Sequence, residues 1–95
     1  MRNDSSKQKT KKIQFALKAV EAENVSLVGE FNNWNPDADP MRRDENEIWT
    51  KSKRLLPGNI EYKFIVDGEW MLDPENSRAC PNCFGTQNNV VKVIL

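Results

Sequence analysis

Ile60-Glu-Tyr-Lys-Phe-Ile-Val-Asp-Gly-Glu-Trp70 is the stretch whose reading decides the fold. Ile60, Tyr62, Phe64 and Val66 fall on one face, and Glu61, Lys63, Ile65 and Asp67 on the other. Apolar residues at every second position, β-branched or aromatic, describe a half-buried β-strand. Asp67-Gly68 is a turn dipeptide that ends the strand. Trp70 follows two residues beyond that corner. A strand that buries one face, shows a lysine on the other and runs into a tryptophan is suited to build part of a binding face.

The same alternation extends on both sides. In Lys12–Ala19, Ile13, Phe15 and Leu17 alternate with Gln14, Ala16 and Lys18, which predicts a first strand. Val20–Asn24 is a connection, because five residues are too few for a stable helix. Asn24–Phe31 reads as a second strand, with Val25, Leu27, Gly29 and Phe31 on one face and Ser26, Val28 and Glu30 on the other. Phe31-Asn-Asn-Trp-Asn-Pro36 is an Asn-rich turn closed by proline, and the loop continues to Pro40. Met41–Arg43 fits a very short strand and Asp44–Glu47 an acidic turn. Ile48–Leu55 is a strand of poor pattern. Trp49, Lys51, Lys53 and Leu55 share a face, and inward lysines predict an edge strand. Leu56-Pro-Gly-Asn59 turns the chain into Ile60–Val66. Trp70–Asp73 fits another short strand, Pro74–Asn89 reads as irregular, and Asn89–Leu95 closes the chain as a strand.

Seven or eight short strands with turn residues between them, and no convincing helix, predict an all-β sandwich. The 95 residues suffice for one small domain with a modest core. The module is expected over residues 12–95. Residues 1–11 contain nothing to bury and are read as a disordered basic tail. That tail is either a solvated end or an arm for an anionic surface.

Composition excludes several functions. The chain has 14 Lys and Arg against 14 Asp and Glu, but the charge is uneven. Residues 1–12 hold five basic residues and one acid. The folded part therefore carries an excess of carboxylates, which disfavours a nucleic-acid partner. No apolar run approaches a membrane span. The lysine-rich start lacks the hydrophobic segment of a secretory signal, so a cytoplasmic protein is expected. There is no histidine, which removes Ser-His and Cys-His nucleophiles and His-ligated metals. The four glycines are isolated and form no phosphate loop. No cofactor and no metal are expected.

Cys80-Pro-Asn-Cys83 leaves several readings open. A zinc ribbon needs a second ligand pair, which only a second chain could supply. A redox site needs a βαβ context that this chain lacks. Two free thiols in a loop, or a local disulfide, are the plainer readings. The carboxylates cluster in turns, where solvated acids belong, and form no evident catalytic pair.

The aromatics carry more information. Phe15, Phe31, Tyr62 and Phe64 fit core faces, and Trp49 fits the core or its rim. Trp34, Trp70 and Phe84 lie in polar loops instead. With Lys63, Thr86 and Asn88 they suit a neutral polar ligand with apolar faces, as a sugar is. A pyranose presents C–H groups to an indole and hydroxyls to donors and acceptors. The alternative is that these rings plug the ends of the sandwich.

Four blocks in order resemble a known family. They are Val-Gly-Glu-Phe-Asn-Asn-Trp-Asn (28–35), Glu-Tyr-Lys-Phe-Ile-Val-Asp-Gly-Glu-Trp (61–70), Asp73-Pro74 and Gly-Thr-Gln-Asn-Asn-Val (85–90). The chain resembles, over roughly residues 12–95, the glycogen-binding domain of the AMP-activated protein kinase β subunit. That domain is one of the family 48 carbohydrate-binding modules, which also precede the barrels of isoamylases and branching enzymes. The resemblance implies an early-set, immunoglobulin-like β-sandwich that binds α-1,4-glucan without catalysis. It implies Trp34 and Trp70 as stacking platforms and Lys63, Thr86 and Asn88 as hydrogen-bonding groups. Phe84 stands where the kinase domain has a leucine, so this chain departs from the pattern there, as it does at Gln87 and the Cys80–Cys83 loop. Lys51 and Lys53 stand at positions more often apolar. A separate catalytic protein is the other partner the resemblance implies, and an enzyme in its own right is the least expected reading.

Overall fold

The computed structural model describes residues 9–95. It holds eight strands: β1 (Lys11–Lys18), β2 (Val25–Gly29), β3 (Arg42–Arg43), β4 (Ile48–Leu55), β5 (Gly58–Val66), β6 (Glu69–Met71), β7 (Ala79–Pro81) and β8 (Gln87–Val93). Among the described residues, a 3-10 turn covers Glu30–Asn32. One sheet has the order β1-β4-β3. The other has the order β2-β5-β8-β7, with β6 also paired to β5. All pairings are antiparallel. This is the all-β sandwich that the alternation predicts, of the early-set immunoglobulin-like kind that the resemblance implies. The reading of residues 1–11 as a tail falls mostly on residues outside those described, and β1 already begins at Lys11.

The core lies between the sheets. Phe15, Leu17, Trp49 and Leu55 enter from one sheet, and Val25, Leu27, Tyr62, Phe64 and Val93 from the other. Phe15 meets Tyr62 edge-on with ring centroids 4.8 Å apart, and Tyr62 meets Phe64 at 5.9 Å. Each fully buried large apolar side chain contributes about 1.5–3 kcal/mol relative to exposure, so these few rings and branched chains hold the sandwich. Trp49 is core, and its indole N–H donates to the Ala19 carbonyl at 3.1 Å.

Two expectations need correction. The first is the position of β4, which is an edge strand over only part of its length. It lies between β1 and β3 at Trp49 and Thr50, where the two-residue β3 pairs with it, while its Lys51–Leu55 half pairs with β1 alone and is an edge only there. Its inward lysines also have a partner. Asp39, buried in the preceding loop, takes Lys53 at 3.2 Å and Lys51 at 3.8 Å. Lys53 also lies 5.7 Å from the centre of the Phe31 ring. The lysine charges are thus neutralised locally by Asp39, which lets them share a face with Trp49 and Leu55. The second is the segment 74–89, which is not wholly irregular. It contains β7, and β8 starts at Gln87. Three residues including a proline give no periodic signal, and β7 exists through its pairing with β8 from Ala79↔Asn89 to Pro81↔Gln87.

The segment before β7 is fixed by a buried polar network. Asn89 is 1% exposed. Its Oδ1 accepts the Asp73 N–H, and its Nδ2 donates to the Asn76 carbonyl. Tyr62 Oη donates to Asp73 Oδ2 at 2.7 Å and accepts from Asn76 Nδ2 at 3.0 Å. Burial first, and then the Asp73 carboxylate, push the Tyr62 hydroxyl well above its ordinary value against the opposing bond from Asn76. The phenol therefore stays neutral and remains a donor.

Candidate functional site

The outer face of the β2-β5-β8-β7 sheet carries a cleft of about 790 Å³. Trp34, Lys63, Trp70, Phe84, Thr86 and Asn88 all line it. The chain order scatters these six residues over fifty positions, and the fold brings them together in one place.

Each arrives by a local cause. Lys63 is on β5, on the face opposite Tyr62 and Phe64, and is 8% exposed. Trp70 is on β6. Asp67 and Gly68 both take positive φ, 48° and 87°, and form the tight two-residue turn that pairs Val66 with Glu69 and Ile65 with Trp70. Asp67 Oδ1 also accepts the Glu23 and Asn24 N–H groups, which ties this corner to the β1–β2 connection. The Lys63 ammonium lies 5.8 Å from the centre of the Trp70 indole.

Trp34 is delivered by the 3-10 turn. Asn33 and Trp34 are both left-handed, with φ of 57° and 58°. A bulky side chain there costs about 1–3 kcal/mol and persists only where its surroundings hold it. Asn32 supplies the hold. Its Oδ1 accepts the Gly29 N–H, and its Nδ2 donates to the Leu27 carbonyl and to Asp39 Oδ2. The Trp34 N–H then donates to the Gly29 carbonyl at 3.0 Å. Burial raises the Asp39 carboxyl, but the Asn32 amide and the nearby Lys53 and Lys51 charges outweigh it and hold it below its usual value.

Phe84, Thr86 and Asn88 come from the β7–β8 hairpin, and Asn82 organises its loop. Asn82 Nδ2 donates to Thr86 Oγ1 at 2.8 Å and Asn88 Oδ1 at 2.9 Å. Its Oδ1 accepts the N–H groups of Phe84 and Thr86. Phe84 stands at the tip, 85% exposed. Thr86 Oγ1 also accepts from Lys63 Nζ at 3.3 Å. With two donors on its oxygen, the Thr86 hydroxyl is left with its own proton to give. Lys63 likewise keeps protons beyond the one it shares with Thr86.

The sequence reading missed Asn82, Glu30 and Glu61, which also line the cleft. Glu30 Oε1 accepts the Glu61 main-chain N–H at 2.8 Å, and Glu61 Oε1 accepts from Asn88 Nδ2 at 2.9 Å. Glu61 was legible as an outward strand position beside Lys63. Asn82 carried no signal beyond its place between the cysteines. Cys80 and Cys83 are both free thiols. Partial burial, then a hydrogen bond to Glu61 and the charges of Glu61 and Glu30, raise the Cys80 thiol. It therefore stays protonated, which is the opposite of what a nucleophile or metal ligand needs. Among the described residues no group of three or more His, Cys, Asp or Glu could hold a metal ion, and no helix is long and apolar enough to cross a membrane.

Three aromatic faces and a row of donors, with two carboxylates already occupied by protein donors, make a surface for a neutral polyhydroxyl ligand. Comparison with known proteins agrees in kind. The model of the family described as the glycogen recognition site of AMP-activated protein kinase matches residues 12–94. The chain belongs to this family. Among similar proteins, the chloroplastic PTST homolog 2 of Arabidopsis thaliana is 39% identical over 70 residues, covering 74% of this chain and 13% of that protein. The β-1 subunit of 5'-AMP-activated protein kinase from Sus scrofa is 38% identical over 69 residues, covering 73% and 53%. The 1,4-α-glucan branching enzyme GlgB of Mycobacterium ulcerans is 38% identical over 76 residues, covering 79% and 10%. The chain thus spans about half the length, or much less, of the curated relatives it matches.

Proposed function

We propose that this chain is a non-catalytic module that binds α-1,4-glucan of the glycogen or starch type. The observation that carries this reading is the convergence of Trp34, Trp70 and Phe84 with Lys63, Thr86 and Asn88 on one cleft. In the proposed complex, the two indoles stack on pyranose faces and Phe84 fills the curve of the chain. Lys63 and Thr86 donate to sugar hydroxyls, and Asn88 adds its remaining amide proton. Each such bond, open to water, is worth about 0.5–1.5 kcal/mol net. Binding to short oligosaccharides is therefore weak, and a polymer that engages many modules is held more tightly by avidity. Catalysis is not part of the proposal, because Glu30 and Glu61 serve the main chain and Asn88 rather than an opposed acid–base pair. The two free thiols suit a reducing compartment, and the cytosol is the one proposed.

Titration of intrinsic tryptophan fluorescence with β-cyclodextrin tests the reading, since both platforms report on the ligand. A saturable change that is lost in Trp34→Ala and in Trp70→Ala is the expected result. A wild-type protein whose fluorescence does not respond, and which migrates unretarded in glycogen-containing native gels, refutes it.

The second reading is a docking module for a separate glycogen-metabolising enzyme or kinase. It is favoured by the relatives, one of which is by name a kinase subunit. Recovery of a stable protein partner whose binding maltoheptaose does not disturb is the result that supports it.

A further inference from the structure

The glucan cleft does not end at Asn88. A second depression of about 510 Å³ adjoins it on the same sheet face, lined by Asn59, Glu61, Ser77, Arg78, Cys80 and Val90 among others. Glu61 lines both. The register explains the continuity. Lys63, Glu61 and Asn59 are alternate residues of β5, and Glu61 pairs with Val90 and Asn59 with Lys92 on β8. At about 3.3–3.4 Å per residue, the face runs about 13 Å from Lys63 to Asn59.

The far wall of this depression is firmly built. Ser77 and Arg78 belong to the segment that Asn89 and Asn76 tie down. The Arg78 N–H donates to Asn76 Oδ1. Its carbonyl accepts the Val90 N–H at 3.0 Å and is approached by Asn89 Nδ2 at 3.4 Å. The main chain beside the groove is thus held by a nearly inaccessible asparagine, while the polar ends above it are unspent. Among the described residues the Arg78 guanidinium, the Asn59 amide and the Ser77 hydroxyl have no hydrogen-bond or salt-bridge partner. A guanidinium fork, an amide and a hydroxyl on a fixed floor can donate to and accept from the hydroxyls of a sugar. The groove has no aromatic ring, so it orients a chain already anchored elsewhere rather than capturing one.

We propose that this groove is an extension subsite that takes further glucosyl units of a linear α-1,4-glucan anchored in the cleft. Arg78 and Asn59 are its principal contacts, and Glu61 lies at the junction. The proposal rests on the glucan reading of the cleft, and it predicts a dependence on chain length that the cleft alone does not. A compact cyclic ligand occupies the cleft only, and a long linear chain reaches both.

Calorimetric titration of the full chain with β-cyclodextrin and with a long linear maltodextrin separates the two sites. In Arg78→Ala and in Asn59→Ala, affinity for the maltodextrin is expected to fall about three- to tenfold, the range for one exposed hydrogen bond. Affinity for β-cyclodextrin stays at the wild-type value. If both variants bind the maltodextrin like wild type, the groove is ordinary solvated surface and the proposal is overturned. An equal loss for both ligands also overturns it, because Arg78 or Asn59 then acts through the cleft. Failure of the wild type to bind β-cyclodextrin is a different result, which removes the underlying glucan reading and this subsite with it.

Discussion

Replacing Asn32 by alanine removes three bonds at once. They are the acceptor for the Gly29 N–H at 3.1 Å, the donor to the Leu27 carbonyl at 3.0 Å and the donor to Asp39 Oδ2 at 2.8 Å. Neutral bonds are worth about 0.5–1.5 kcal/mol each and one to a carboxylate about 1.5–3 kcal/mol, which sums to about 2.5–6 kcal/mol. The site is half-buried, so water takes over part of what is lost. The expected destabilisation is about 2–4 kcal/mol. In a domain of this size each kcal/mol moves Tm by about 4–8 °C, so Tm falls by at least about 8 °C. Urea unfolding followed by tryptophan fluorescence measures the loss. The same substitution frees the strained Trp34, so affinity for β-cyclodextrin falls with stability. A double-mutant cycle with Asp39→Ala should give a coupling energy above about 0.5 kcal/mol. A loss below about 0.5 kcal/mol, or strict additivity with Asp39→Ala, would refute the view that this pair fixes the platform.

Acid titration reports on the same place. The Asp39 carboxyl is held below its ordinary value of 3.8, so its stabilising contribution is complete above that pH and is lost as pH falls through the lower folded value. Asp39→Asn should therefore flatten the acid limb of a stability–pH curve, and an unchanged limb would count against the assignment. At Gly29, an added Cβ would lie 2.6 Å from the Glu61 carbonyl oxygen and 2.7 Å from the Phe31 ring. Gly29→Ala is expected to cost about 1–3 kcal/mol by overpacking, read as a lower urea midpoint at unchanged m-value. Asn82→Ala unties an exposed loop, so it should change global stability by less than about 1 kcal/mol yet weaken β-cyclodextrin binding about tenfold. Near-wild-type affinity in that variant would show that the Phe84 loop orders itself without Asn82.

Much of the fold can be read from local pattern. The alternation of Ile60–Val66 and the Asp67-Gly68 corner are settled by neighbours in sequence, and the structure has them where they are expected. The turn read over Leu56–Asn59 shrinks to Leu56-Pro57, because Gly58 and Asn59 already pair with Val93 and Lys92 as the start of β5. Among the six residues of the cleft, Trp34, Trp70 and Phe84 stand out in the sequence as rings that fit no core face, and Lys63, Thr86 and Asn88 as the polar groups that accompany them. The fold puts all six along one cleft. The misreadings share a cause, which is long-range pairing. Lys51 and Lys53 look wrong on a strand face shared with Trp49 and Leu55 until Asp39, more than ten residues away, is seen beside them. β7 is invisible because pairing to β8 makes it a strand and its own composition does not. Asn89 reads only as the polar first residue of the closing strand. Its burial is evident only when Asp73, Asn76 and Arg78 are wrapped around it.

The strand at the centre of the second sheet has a consequence for how such a module can change over generations. Tyr62 and Phe64 point into the core, and Asn59, Glu61 and Lys63 point at the ligand face, one residue apart along the same backbone. Sequence drift at the odd-numbered positions can explore new sugar preferences without disturbing the interior, and drift at the even-numbered ones is purged before it reaches the ligand. A library randomised at positions 59 and 61 should consequently be rich in folded members with altered chain-length preference. That would make β5 a natural place for related modules to diverge in taste while keeping one architecture.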